Sequence, residues 1–193
     1  SGVAVNPVTN TAYVVNTGSN DVSVINGASG TVTATLVVGQ SPRAVVVNPV
    51  TNTAYVVNNA FDSVTVINGT TDTVAGTISL RPLRSEPGSH GVAVDPDTNT
   101  VYVTNASNDM LTVINGATRE VTDRVDLGRG SSPIGVAVDP KTNTIYTANN
   151  NSSTVSVING STNKVTATIG VGAFPKALVE DPYFGPVGLG DDP

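Results

Sequence analysis

Apolar residues fall along this chain in short groups, each closed by turn-forming residues. Val3-Ala4-Val5 ends at Asn6-Pro7, a pair that favours turn initiation. So short a run of small and β-branched residues suits a strand buried on both faces. Thr11–Asn16 follows and carries Tyr13. Asp21–Asn26 then alternates, Val22 and Val24 against Ser23 and Ile25, at the period of two that separates the faces of a strand. Gly27 after Asn26 offers the left-handed turn chemistry of a tight hairpin. Residues 31–38, Thr-rich and alternating, read as an outer strand facing solvent. The pattern predicts four short antiparallel strands in about 44 residues.

The same unit recurs. Tyr13, Tyr55, Tyr102 and Tyr146 are spaced 42, 47 and 44 residues apart. Each lies 13 residues before the Asn of an Ile-Asn-Gly (Asn26, Asn68, Asn115, Asn159), and each follows a Pro-x-Thr-Asn-Thr run at 7–11, 49–53, 96–100 and 140–144. The first-strand copies are 45–47, 92–94 and 136–138, and the last-strand copies 73–80, 120–127 and 163–171. One four-stranded meander cannot cover both of its apolar faces, whereas packing such units side by side around an axis covers them. The expected fold is therefore all-β: propeller blades made of four four-stranded antiparallel repeats, at about 1–40, 41–86, 87–131 and 132–173, with the inner strand of a fifth at 174–182. The propeller region is 1–182, followed by a Gly/Pro-rich tail at 183–193. The most apolar strand of each unit should line the axis and the fourth should face solvent.

Tyr102-Val103-Thr104-Asn105, with Tyr13-Val14-Val15-Asn16, Tyr55-Val56-Val57-Asn58, Tyr146-Thr147-Ala148-Asn149 and the Val-x-Val-Ile-Asn-Gly strands, resembles the YVTN-repeat β-propeller family over residues 1 to about 182. The resemblance implies an exported or surface-layer type of protein, usually seven-bladed. This chain is too short for seven units. It reads as a fragment of a longer protein, a four-bladed ring, half of a dimeric eight-bladed ring, or an arc packed on another subunit. An unclosed arc would expose two apolar blade faces, so closure or burial by a partner is expected.

Composition narrows the classes. There are 34 Val, 26 Thr, 20 Asn and 19 Gly, one His and no Cys. Thiol chemistry, disulfides and Cys-ligated metals are excluded, and few charges with many Asn and Thr suit an exported protein. The net charge of −6 argues against nucleic-acid binding, which needs clustered Lys and Arg. No apolar run is long enough for a helical membrane span, and no export signal opens the chain, so extracellular or cell-surface placement would rest on a signal absent from this sequence. No cofactor or metal site is expected, since no EF-hand or Gly-Gly-x-Gly-x-Asp run occurs.

Loops 1–2 and 3–4 of each unit repeat almost unchanged and read as structural turns. Loops 2–3 and the inter-blade connectors vary, and variable loops on a rigid scaffold carry function. The connectors hold Arg43, Arg81, Arg84, Arg129, Lys176 and His90. The residue just before each inner strand is Arg43, His90, Ile134 and Lys176, so three of four equivalent positions are basic. They predict a positive mouth to the central channel, suited to a carboxylate, a phosphate, an acidic sugar or an acidic protein loop. Residues 81–90 form the longest insertion and a candidate recognition loop. The reading is a non-enzymatic binding or surface-assembly module for protein or glycan partners, with self-association through open blade faces among its expected contacts. Two alternatives stand beside it. One is a lyase- or hydrolase-like enzyme using His90 as a general base near Glu86, as propellers such as the streptogramin lyases resemble enzymes that use His and Glu with a divalent ion. The other is a subunit polymerising through blade edges and the tail.

Overall fold

Each repeat folds into one four-stranded antiparallel sheet with neighbouring strands adjacent in sequence. A computed structural model describes residues 2–80 and 88–177. The first blade is β1 (Val3–Asn6), β2 (Thr11–Asn16), β3 (Asp21–Asn26) and β4 (Thr31–Val37); the second is β5 (Pro42–Asn48), β6 (Thr53–Asn58), β7 (Ser63–Asn68) and β8 (Thr73–Ser79). The third is β9 (Ser89–Asp95), β10 (Thr100–Asn105), β11 (Met110–Asn115) and β12 (Glu120–Asp126); the fourth is β13 (Pro133–Asp139), β14 (Thr144–Asn149), β15 (Thr154–Asn159) and β16 (Lys164–Gly170). The inner strands pack in sequence order, β1 on β5, β5 on β9 and β9 on β13. The outermost strand, β16, is exposed along its whole length. Among the described residues no helix is long and apolar enough to cross a membrane.

The core lies between blades. The tyrosine face of blade one (Tyr13, Val15, Val22, Val24) packs on Ala54, Val56 and Ile67 of blade two. Tyr55, Val57, Val64 and Val66 meet Val101, Val103 and Ile114 of blade three; Tyr102, Leu111 and Val113 meet Ile145 and Ile158 of blade four. One face of a two-period strand thus serves the next blade and the other the preceding blade. Asn6 Nδ2 donates to Asn52 Oδ1 at 2.7 Å and Asn48 Nδ2 to Asn99 Oδ1 at 2.8 Å, adding a polar tie to two of the three junctions.

The structure departs from the sequence reading in two places. The glycines of the four Asn-Gly pairs do not have positive φ; the left-handed residue comes three positions later, at Gly30, Asp72, Arg119 and Asn163. The pair is small for a different reason. A Cβ on Gly69 would sit 2.6 Å from the Tyr13 hydroxyl, and one on Gly116 2.7 Å from the Tyr55 hydroxyl, so each glycine leaves room for the preceding blade's tyrosine. The inner strands also start earlier than their apolar triplets. Pro42 already pairs with Asn58 and Pro133 with Asn149, each followed by a bulge, and proline is tolerated as a strand's first residue. Among the described residues the four blades form an open arc, one of the forms the sequence left open: β1 packs on β2 and β5, and β13 on β9, β10 and β14. Residues 178–182 of the expected fifth inner strand and the 183–193 tail lie outside the described residues.

Candidate functional site

The two kinds of loop segregate as their repetition suggested. Loops 1–2 and 3–4 hold one another within each blade, through Gly27 N to Asn10 O at 2.8 Å and Gly69 N to Asn52 O at 2.9 Å. Loops 2–3 hold the connectors instead. Asn20 Oδ1 accepts from Ser41 N at 2.8 Å. Asp62 Oδ1 accepts from Gly88 N (2.9 Å), Ser89 N (2.9 Å) and Ser89 Oγ (2.8 Å). Asp109 accepts from Gly130 N (2.7 Å) and Ser132 N (2.7 Å). Each of these latch residues has φ between 44° and 59°, a left-handed conformation that Asn and Asp tolerate. The latch lets the loop of one blade fix the first residues of the next inner strand, and with them the inner rim of the arc.

At that rim the β-bulges act on single side chains. The register of β5 against β6 shifts between Pro42 and Ala44, and that of β13 against β14 between Pro133 and Gly135. β9 shifts against β10 between Val103 and Asn105, after Ser89 has paired with Asn105. Arg43, His90 and Ile134 therefore lie in the irregular stretch of each ladder, where a bulge re-aims a side chain out of the pleat. This brings Arg43 and His90 together across neighbouring strands, with Arg43 Nη1 3.4 Å from His90 Nδ1. A guanidinium only donates, so Nδ1 is the acceptor and the neutral ring carries its proton on Nε2. Burial first, and then the Arg43 charge, hold the His90 imidazole below its usual range, against a smaller opposing pull from Asp62. Asp62 is buried, and its Oδ2 has no hydrogen-bond partner.

The remaining predicted rim residues do not join this pair. Ile134 interrupts the basic series, and its carbonyl accepts from Thr104 Oγ1 at 2.9 Å, which in turn accepts from Gly91 N at 2.9 Å. Lys176 is exposed beyond β16, next to Pro175, whose carbonyl accepts from Asn150 Nδ2 at 3.2 Å. Arg129 faces the Asp109 latch. Burial alone would raise the Asp109 carboxyl, but the N–H groups of Ser132 and Gly130, the Ser131 hydroxyl and Arg129 together hold it below the usual carboxylate range. Arg81, Arg84 and Glu86, and so most of the 81–90 loop, lie outside the described residues. The latch role of Asn20, Asp62 and Asp109 was missed by sequence reasoning. Its signal was the small acceptor (Asn20, Asp62, Asp109, Ser153) directly before the third strand of every repeat.

Among the described residues two aromatics are exposed, Phe61 (56% exposed) in the loop ahead of Asp62 and Phe174 (64% exposed) in the last connector. Asp95 and Asp139 accept from Asp97 N at 2.9 Å and Lys141 N at 3.0 Å, as Asn6 and Asn48 accept from Val8 N and Val50 N. The turn takes either residue because it needs an acceptor. Among the described residues no three His, Asp or Glu side chains gather as a group able to hold a metal ion. What the rim offers chemically is one cation beside one neutral imidazole.

A family model described as "Lactonase, 7-bladed beta-propeller" matches residues 3–171. A comparison with curated proteins finds no match. A solved chain of Kuenenia stuttgartiensis hydrazine synthase superposes with a TM-score of 0.78 at 20% identity, over 87% of this chain and 48% of that one. The chain thus spans about half the length of that structure, and a likeness at this identity speaks for the fold alone.

Proposed function

The chain belongs to the lactonase seven-bladed β-propeller family, and from that premise we propose that its blades form a rigid platform whose rim binds a carboxylate-bearing ligand, an acidic saccharide above all. The observation that carries this reading is the Arg43–His90 pair, 3.4 Å apart on adjacent bulges of the inner strands. A carboxylate placed against it gains a permanent cation and a second donor that becomes charged on protonation. Phe61 supplies the exposed ring on which a sugar face can stack. In this reading the protein is a non-enzymatic, exported or cell-surface module of the YVTN-repeat type.

The test is titration calorimetry with oligogalacturonate as the probe and inorganic phosphate as the comparison anion. Arg43→Ala should weaken oligogalacturonate binding at least tenfold. A bound anion favours protonated His90, whose affinity for protons is lowered in the free protein, so binding should strengthen as pH falls through the histidine range. His90→Ala should abolish that dependence. Unchanged affinity in Arg43→Ala would refute the reading.

The family description favours one second reading, lactone opening at the same rim. Arg43 would swing from His90 Nδ1 to the lactone carbonyl oxygen and stabilise the developing oxyanion; the freed Nδ1 would take a proton from the attacking water, and the imidazolium would return it to the departing alkoxide as the ring C–O bond breaks. Turnover of a sugar lactone that disappears in His90→Ala would establish this reading over binding alone.

A further inference from the structure

The third strand of every blade ends in an Asn-Gly pair: Asn26-Gly27, Asn68-Gly69, Asn115-Gly116 and Asn159-Gly160. All four asparagines are exposed. Such a pair has a chemistry of its own. The glycine backbone nitrogen, once it has lost its proton, attacks the asparagine carboxamide carbon. The Cγ–Nδ2 bond breaks, ammonia leaves and a five-membered succinimide remains. Water then opens either of its carbonyls and gives aspartate or isoaspartate. Glycine favours the attack because no side chain hinders it.

The fold needs both members of the pair. Each asparagine Oδ1 caps its turn. Asn26 accepts from Ala28 N at 2.9 Å and Ser29 N at 3.0 Å. Asn68 accepts from Thr70 N at 2.8 Å, Asn115 from Ala117 N at 2.9 Å and Thr118 N at 3.0 Å, and Asn159 from Ser161 N and Thr162 N, both at 3.0 Å. A Cβ on the glycine would lie 2.7–2.9 Å from the carbonyl oxygen of Asn10, Asn52, Asn99 or Asn143, and a backbone oxygen has no rotamer by which to yield. A reactive pair is therefore built into every blade.

The contacts that require the pair also hold it still. Gly27 N donates to Asn10 O at 2.8 Å, Gly69 N to Asn52 O at 2.9 Å, Gly116 N to Asn99 O at 2.8 Å and Gly160 N to Asn143 O at 2.8 Å. A bonded N–H gives up its proton less readily, and the capping bonds keep the carboxamide on the amides two and three residues ahead. All of these bonds lie within one blade. We propose that the four pairs are deamidation sites shut in the folded blade, and that each opens only when its turn parts from the neighbouring loop 1–2. Isoaspartate lengthens the backbone by one carbon and shifts the acceptor off the turn amides, so a chain modified while unfolded does not rebuild the turn. The modification is then a one-way record of unfolding. It stands apart from the rim reading.

Peptide mapping by mass spectrometry tests this on the full chain, with isoaspartate told from aspartate by its separate elution. The native chain and the same chain unfolded in guanidinium are held at one mildly alkaline pH. Modification at each of the four asparagines should be at least tenfold slower in the native chain, since it must wait for the turn to open. After dilution out of guanidinium, the chains that refold should contain less isoaspartate than those that do not. Equal rates in native and unfolded chain at any of the four turns would overturn the proposal, because an intact turn would then be reacting. So would an unfolded chain that keeps all four asparagines, or equal isoaspartate in the refolded and the failed fractions.

Discussion

Asp62 is the residue through which blade two holds the start of β9, and removing it should be costly. The buried carboxylate oxygen Oδ1 accepts three hydrogen bonds, from Gly88 N, Ser89 N and Ser89 Oγ, all between 2.8 and 2.9 Å. In Asp62→Ala the Ser89 hydroxyl can turn elsewhere, but the two backbone N–H groups cannot. Each buried unsatisfied donor costs about 1–3 kcal/mol. Releasing a carboxylate whose Oδ2 is itself buried without a partner offsets part of that, which leaves a loss of about 3 kcal/mol. For a chain of this size that corresponds to a fall in Tm of about 6–12 °C. Asp62→Asn is the control. It keeps the Oδ1 acceptor and changes only the unpartnered oxygen, and Asn20 already does the same work in blade one through a single 2.8 Å bond to Ser41 N. Its cost should stay under about 1 kcal/mol. Urea unfolding gives both values, and amide exchange at Gly88 and Ser89 should quicken in Asp62→Ala alone. If Asn costs as much as Ala, the charge matters and the acceptor geometry does not, and the latch argument fails.

Three further outcomes are expected. Asp95 occupies the place of Asn6 and Asn48 but has no N–H to give to the next blade, and Asn143 Oδ1 is buried without a partner; Asp95→Asn should raise stability by about 1 kcal/mol in denaturant unfolding. Ile67→Ala should cost about 2–5 kcal/mol as a buried cavity mutation, whereas Ile25→Ala at the same repeat position, partly exposed, should cost less than half of that in urea unfolding. The Asp109 carboxyl lies below its usual range in the folded state. It therefore contributes stability that is present above the ordinary carboxylate range and lost as pH falls through its lowered folded value. Unfolding midpoints taken from neutral to acid pH should drop less steeply in Asp109→Asn than in the parent.

The local order of this protein is written in its sequence. Four copies of a two-period pattern, each interrupted by Asn, Pro and Gly at fixed places, determine sixteen strands and the four meanders they form, because strand faces and hairpin turns depend on neighbours a few residues away. The alignment of Arg43, His90 and Ile134 as the second residues of three inner strands was legible for the same reason, and so was the turn role of Asp95 and Asp139. Other features depend on contacts between blades, which no local pattern encodes. Gly69 and Gly116 looked like turn residues until the hydroxyl of the preceding blade's tyrosine was found above each. Asp62 and Asp109 looked like loop acids until their partners proved to be the backbone of the following connector. Arg43 and His90 are 47 residues apart and meet only because bulges on adjacent inner strands turn both out of the pleat, while the charge of Arg129 acts on Asp109 instead. Whether four wedges close is likewise settled by the angles at which faces pack, summed around the axis. The repeat determined both halves of a junction, and the tertiary structure decided which residues of neighbouring blades meet across it.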